Sequence, residues 1–485
     1  MSVVRLSLIS HTNVGKTTLA RTLLKRDVGE VRDAAHVTEL AERYVLIETP
    51  DGDVLELWDT PGFGDSARLL RRLRQSGNPF GWFLSQVWDR YTDRPFFSSQ
   101  QAMRNVRETA DVVLYLVNAG EDPAAAGYVA AEMEILGWAG KPVLVLLNQL
   151  GPPRPAEAEA RDVDRWSRSL AGFAFVRDVL AFDAFARCWV QEETLIGRVA
   201  AAVADDRRAG AERILRAWSG RNAALYDRSL GVLASHLLAA AADSEAVPAL
   251  SLAERAREKL GDFARGESRP DAALEKAQAA LARRLDESLR ESTNELVMLH
   301  GLSGKATAEI SRRMAAAFHV EAALDVPKTS VLGGLVSGAL GGLAADLAAG
   351  GLTFGAGALL GALLGAAGAH GLARAYNVAR GRDSTTLRWS ADFLDGRVTA
   401  AILRYLAVAH FGRGRGEYVE AEYPPHWPGL VAGEVSGRRE ALDAIWADVV
   451  SGVAQSELQP RLVELLRAVA DGVLRALYPR AAASD

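Results

Sequence analysis

Hydrophobic positions along this chain change their spacing once, near residue 203, and the change divides it into two kinds of architecture. Before that point short apolar runs recur between turn residues: Val3 to Ile9, Arg43 to Glu48, Val54 to Trp58, Asp111 to Asn118, Pro142 to Asn148 and Val179 to Ala184. Their nearly unbroken Val/Leu character suits central parallel strands covered on both faces. Pro50-Asp51-Gly52 is a turn that joins the second run to the third. Between the runs, Leu19, Leu23 and Leu24 predict a helix from Thr17 to about Arg26, and a second helix is expected from about Gly127 to Leu136. After about Val203, apolar residues three and four apart alternate with abundant Glu and Arg. Helices with solvated outer faces are expected at Leu252 to Phe263, Asp271 to Leu299, Arg397 to Ala409 and Leu458 to Leu477, with breaks at Gly220 and over Gly266 to Pro270. No fixed-period repeat makes the chain a solenoid.

The predicted fold is therefore α/β with a mostly parallel sheet over residues 1–203, followed by a mainly α-helical part. That part divides into a helical region over 204–328, a glycine-rich helical hairpin over 329–376 and a C-terminal helical region over 377–485. Residues 66–101 are longer than a minimal nucleotide domain needs at that place. They are first basic (Arg68, Arg71, Arg72, Arg74) and then aromatic (Phe80, Trp82, Phe83, Trp88, Tyr91, Phe96, Phe97). The aromatics cluster as a core would, which favours an amphipathic subdomain covering the sheet over a single-stranded nucleic-acid surface.

The candidate chemistry lies in Leu6 to Leu19, LSLISHTNVGKTTL, where a strand feeds a polar turn and a helix begins at once. In such a P-loop, backbone N–H groups and the helix N-terminus cradle a polyphosphate, the lysine reaches its β- and γ-phosphates, and the first hydroxyl residue holds Mg²⁺. Lys16 and Thr17 take those roles, and Asn13, Val14, Gly15 and Thr18 complete the nucleotide-binding segment. Ser10 stands where the usual pattern begins with glycine.

A second motif, Asp59-Thr60-Pro61-Gly62, follows the strand Val54 to Trp58. Together the two motifs resemble the Era/TrmE-like P-loop GTPases, and the whole resembles bacterial proteins that join an Era-like GTPase domain to an uncharacterised helical C-terminal domain. The resemblance implies a small-GTPase-like fold for residues 1–203, with GTP and GDP as ligands. It further implies that Asp59 supports Mg²⁺, that the Gly62 N–H senses the γ-phosphate, and that Thr38, in the switch segment Val31 to Thr38, is the Mg²⁺-binding threonine. Asn13 is similar to the loop asparagine that in some relatives helps hold K⁺ beside the phosphates. A homodimer through the GTPase domain is the protein contact this reading admits.

Two departures bear on chemistry. Phe63 occupies the position of the glutamine that orients the attacking water in Ras-like GTPases, and a phenyl ring cannot hydrogen-bond that water, so turnover of the isolated protein is expected to be slow. The base-reading motif Asn-Lys-x-Asp is here Asn148-Gln149-Leu150-Gly151. Asn148 and Gln149 remain candidate nucleotide contacts, but without the carboxylate the site loses a lever against the wrong base, and ATP stays open. Asp183 is a candidate replacement carboxylate or a turn aspartate.

Charge and composition narrow the setting. A net charge of −5 advertises no global field for nucleic acid. The single Cys188 rules out an intramolecular disulfide and multi-cysteine zinc patterns, and no charged-then-apolar leader is apparent at the start of the chain. Within Val331 to Tyr376, Gly334, Gly338 and Gly342 fall four apart, as do Gly357, Gly361 and Gly365, the small-residue spacing of closely packed membrane helices. At about 1.5 Å per residue each half is just long enough for a hydrocarbon core of about 30 Å. Lys328, Arg374, Arg380 and Arg382 flank the hairpin, which places both ends on the cytoplasmic side. A packed hairpin within a helical bundle explains the same glycines. The expected function is a membrane-associated GTPase switch at the cytoplasmic face of the inner membrane. The alternatives are a catalytically weak nucleotide-binding scaffold and an RNA- or ribosome-associated GTPase.

Overall fold

The computed structural model describes residues 1–11, 14–24, 41–74, 94–150, 154–183, 188–247, 272–302, 376–380, 385–410 and 424–479. The chain divides into two compact units, one of Met1–Ala224 with Ala409–Pro424 and Leu474–Asp485, the other of Leu225–Val408 with Pro425–Val473.

The first unit is built on a six-stranded sheet in the order β2-β3-β1-β4-β5-β6. Its strands are β1 (Val3–Ser10), β2 (Glu42–Glu48), β3 (Val54–Asp59), β4 (Val112–Asn118), β5 (Val143–Asn148) and β6 (Val176–Ala181). All neighbours run parallel except the edge pair β2 and β3, which the Pro50-Asp51-Gly52 turn makes antiparallel. Gly52 sits there at φ +78°, a left-handed conformation that glycine adopts without a Cβ penalty. The last strand begins and ends earlier than the apolar run Val179 to Ala184 suggests, because Val176 enters the ladder beside Val143.

Alternate residues of β1 divide the core between the two faces. Val4, Leu6 and Leu8 pack with Leu19 and Leu23 of α1 (Lys16–Leu24) and Leu195 and Val199 of α6 (Trp189–Ala202). Opposite, Ile9 packs with α2 (Ser66–Leu73), α3 (Arg94–Glu108), α4 (Gly127–Gly137) and α5 (Ala156–Leu170) through Leu69, Met103, Met133 and Trp166. Helices α2 and α3 hold the ends of the basic and aromatic stretch. Phe96 is buried in this core, and the Arg68 guanidinium lies 4.7 Å from the centre of its ring. Residues 75–93 lie outside the described residues.

The helix α7 (Asp205–Ala242) runs unbroken through Gly220, where the sequence suggests a stop. A glycine in a helix interior costs about 1 kcal/mol relative to alanine. The fully buried Trp218 and the buried Leu230 and Leu233 on the same helix outweigh it. The first part of α7 belongs to the nucleotide-domain unit, since Ala211, Ile214 and Trp218 pack into its core. Two ion pairs fasten it there. Arg207 meets Asp111 at 2.7 Å, and Arg213 forks onto the buried Asp53 at 2.5 and 3.0 Å.

Asp53 also accepts from the Ser2 backbone N–H, and with Arg213 this holds its carboxyl at about 2, below its ordinary 3.8. A depressed carboxylate stabilises the folded state above its unfolded pKa and ceases to do so as pH falls through its folded value. Unfolding midpoints of the native chain and of Asp53→Asn are therefore expected to differ most above about pH 4. They should converge as the pH is lowered toward 2. A difference that persists unchanged down to pH 2 would remove the ion pair as its cause.

The second unit is mainly helical. It contains the rest of α7, α8 (Ala272–Leu299), α9 (Ala391–Ala409), α10 (Trp427–Ser436), α11 (Arg439–Val450) and most of α12 (Gln455–Leu477). Buried leucines four apart line the inner faces, as at Leu281, Leu285 and Leu289 on α8 and at Leu458, Leu462 and Leu466 on α12. It also holds a three-stranded antiparallel sheet, absent from the sequence reading, of β7 (Ser244–Val247), β9 (Thr385–Trp389) and β8 (Tyr376–Arg380) in that order. Arg284 of α8 binds Asp243 and Glu245 at the start of β7. The helix read at Leu252 to Phe263 and the hairpin read at 331–376 lie outside the described residues, apart from Tyr376 at the start of β8. Among the described residues no helix is long and apolar enough to cross a membrane.

Candidate nucleotide site

The C-terminal ends of β1, β3 and β5 meet at one place, the position where open parallel sheets bind ligands. Leu8 of β1 lies beside Asp59 of β3, and Asn118 of β4 beside Asn148 of β5. The loop after β1 therefore opens between the ends of the other two strands.

Lys16 is the first residue of α1 and is buried, its Nζ donating to Ser10 Oγ at 3.0 Å. The serine at the glycine position of the usual motif is thus a partner of the motif lysine. Burial lowers the Lys16 pKa, and the carboxylates of Asp59 and Glu132 oppose that shift. Thr17 donates its hydroxyl to Asp59 Oδ2 at 2.6 Å. Asp59 is buried, which pushes its carboxyl up to about 6 against the pull of Lys16 and Thr17, and its Oδ1 has no hydrogen-bond partner.

An unpartnered, buried carboxylate oxygen beside a threonine hydroxyl at a helix N-terminus fits Mg²⁺. That ion prefers oxygen donors and takes most of its remaining ligands from water and substrate phosphates, so one carboxylate and one hydroxyl suffice from the protein. No cluster of three His, Cys, Asp or Glu side chains suited to a metal ion occurs among the described residues.

Asn148 ties the base end of the site to the phosphate end. It is fully buried, and its Nδ2 donates to the Val14 carbonyl at 2.7 Å. The same nitrogen lies 2.8 Å from where a Cβ on Gly15 would stand, and Gly15 has φ +95°, so the position admits only glycine without displacement. Thr18 is buried within α1. Gln149 is exposed and adopts φ +58°, uncommon for a residue with a side chain. Beyond it, the Leu150 N–H donates at 2.7 Å to Asp183 Oδ2. That carboxylate is buried, so Asp183 braces the 148–150 loop.

Gly62 is buried and followed by Phe63, whose N–H donates to the Ser10 carbonyl at 2.9 Å. The Asp59-Thr60-Pro61-Gly62 segment consequently lies against the start of the phosphate-binding loop, and Thr60 Oγ1 donates to the Leu8 carbonyl at 2.5 Å. The Phe63 ring is fully buried in the core beneath α2. Asn13 and Thr38 lie outside the described residues.

Two further groups escaped the sequence reading. Glu132 of α4 is fully buried, accepts from the Tyr115 hydroxyl at 2.7 Å and lies 2.8 Å from Nδ1 of His11 in the phosphate-binding loop. The His11 ring in turn stacks on Tyr128 at 4.4 Å. The available signal was Glu132 within the mostly apolar stretch Tyr128 to Met133 of α4, a helix whose other carboxylate is Glu134.

A model of the 50S ribosome-binding GTPase family matches residues 5–149, and a model of a domain of unknown function, DUF3482, matches residues 169–477. No curated protein matches the chain. Two crystal structures of Era align at 18% identity and a TM-score of 0.32, covering 42% of this chain and 58% of theirs. One is an Aquifex aeolicus Era variant with GDP and aluminium fluoride, the other Era with MgGDPNP and a segment of 16S ribosomal RNA. A bacterial selenocysteine-specific elongation factor aligns at 16% identity and a TM-score of 0.25, covering 38% of this chain and 26% of its own. The chain thus spans less than two thirds of the length of these proteins. With the second model covering well over half of its 485 residues, the chain belongs to the DUF3482 family and carries a P-loop GTPase domain ahead of that domain.

Proposed function

We propose that this GTP-binding protein hydrolyses GTP to GDP and phosphate and works as a nucleotide switch whose helical part contacts a membrane. The observation that carries the hydrolytic reading is the grouping of Lys16, Thr17 and the unpartnered Asp59 oxygen at the mouth of the sheet. Lys16 would exchange its Ser10 bond for the β- and γ-phosphates and stabilise charge that grows on the transferred phosphoryl group. Thr17 and Asp59 would hold Mg²⁺, with Thr38 joining them in the triphosphate state. When bound, the ion supplies charge neutralisation across the phosphates. The Gly62 N–H would report the γ-phosphate, and its release would reorganise the Asp59 to Gly62 segment.

The reading includes Asn13 holding K⁺ and a homodimer through the GTPase domain, both drawn from the family resemblance. The membrane part rests on the glycine spacing and flanking basic residues of 331–376, and it sets the protein at the cytoplasmic face of the inner membrane.

Purified full-length protein tests the reading through nucleotide binding and turnover, with GTP against ATP, K⁺ against Na⁺, and liposomes present against absent. GTP-selective, K⁺-dependent turnover that liposomes stimulate is expected. Binding without turnover in every condition would replace the switch with a nucleotide-binding scaffold, and a preference for ATP would mean that the 148–151 loop no longer reads guanine.

A further inference from the structure

Helix α9 carries Arg397 and Arg404 seven residues apart, two turns along one face. On an amphipathic helix that spacing suggests a solvated stripe. Instead Arg397 is 5% and Arg404 2% exposed, and both line a cavity between α7, α8 and α9 in the second unit. Arg404 donates to the Leu289 carbonyl at 3.2 Å, to Thr293 Oγ1 at 3.3 Å and to Ser292 Oγ. Arg397 is different. Its Nε, like that of Arg404, is buried without a hydrogen-bond partner, but its guanidinium makes no hydrogen bond or ion pair among the described residues, and burial alone draws its pKa down to about 10.

A guanidinium so placed is costly, because an ion removed from water needs a counter-charge. A water molecule in the cavity would satisfy a donor but would leave the charge uncompensated. The remaining polar groups on the wall are His236, whose Nδ1 lies 2.7 Å from Ser288 Oγ, and the hydroxyls of Ser288 and Ser292. The nearest carboxylate to His236, that of Glu295, is 3.8 Å away and more than half exposed. The rest of the wall is leucine and alanine.

We propose that this cavity is a binding site for a small carboxylate anion, held by the guanidinium fork of Arg397 with the Ser288 hydroxyl as a further donor. The planar fork matches a carboxylate through two parallel hydrogen bonds. The cavity is small, which favours a compact planar anion of formate size.

Thermal unfolding of the full-length chain tests this, carried out in the Lys16→Ala background so that the nucleotide site contributes nothing. Sodium formate is compared with sodium chloride at matched ionic strength. A ligand that binds only the folded state raises the midpoint with the logarithm of its concentration. The midpoint is expected to climb in formate over chloride, and Arg397→Met is expected to abolish that difference. Equal midpoints of the Lys16→Ala protein in the two salts would overturn the site, as would a formate effect that survives in Arg397→Met. Should the methionine variant fail to fold, Arg397→Lys decides, since it keeps the charge and loses the fork. Its formate response is expected to need at least about tenfold more anion, and an unshifted response would equally overturn the proposal.

Discussion

Lys16→Ala is expected to lower kcat/KM for GTP by about 10²- to 10³-fold, the scale of removing one preorganised donor from a developing negative charge, or about 2.7–4 kcal/mol in transition-state stabilisation. The protein alone fixes where the Lys16 ammonium sits. It is buried at the first turn of α1, bonded to Ser10 and flanked by Asp59 and Glu132, so its position is set before any phosphate arrives. A lysine already dehydrated and oriented loses little on meeting the γ-phosphate, and its charge acts in a poorly screened site. Alanine removes the charge without disturbing the Thr17 to Asp59 bond, which belongs to the next residue. Folding of the variant should be retained, as judged by an unfolding midpoint near that of the native chain. Turnover within threefold of native would assign the activity to a contaminant or to another site.

Phe63→Gln is expected to destabilise the nucleotide domain by about 3–5 kcal/mol and to produce no gain in GTP turnover. By sequence position Phe63 is where a water-orienting glutamine stands in Ras-like GTPases, and restoring the amide would look like a repair. The structure argues otherwise. The backbone N–H of Phe63 is held by the Ser10 carbonyl, and its ring is fully buried in the core with Ile9, Leu69, Met103 and Tyr115. Glutamine there would leave a cavity and bury an amide with few partners. Chemical denaturation together with a GTPase assay separates the outcomes, and a stable variant with faster turnover would show that the 62–64 segment turns its side chain toward the nucleotide.

The two results draw on different levels of information. The placement of Lys16 at the start of α1 was legible because a phosphate-binding loop is local: strand, turn, glycine, lysine and hydroxyl must be contiguous for backbone N–H groups to converge on one anion. The strands were legible for a related reason, since those buried on both faces need apolar residues without alternation. Side-chain direction at Phe63 was not, because it depends on how the chain leaves β3 and bridges to His11. Glu132 was missed on the same ground. Glu132, one of two carboxylates on α4, acquires meaning only when Tyr115 from β4 and His11 from the loop converge on it.

Sequence by itself determined the mostly parallel α/β sheet, the turn at Pro50-Asp51-Gly52, and the helices near Asp271 to Leu299, Arg397 to Ala409 and Leu458 to Leu477, since each depends on residues close together in the chain. Tertiary structure alone decided that Ser10 serves Lys16, that Asn148 spans to Val14, that Gly220 sits inside an unbroken helix, and that Arg397 and Arg404 face inward. It also decided the small sheet, in which Ser244 pairs with Arg388 across 144 positions of the chain. Such pairings cannot be read from periodicity, because the free energy that favours them comes from burial and neutralisation by segments distant in sequence, and no local pattern records which segment arrives.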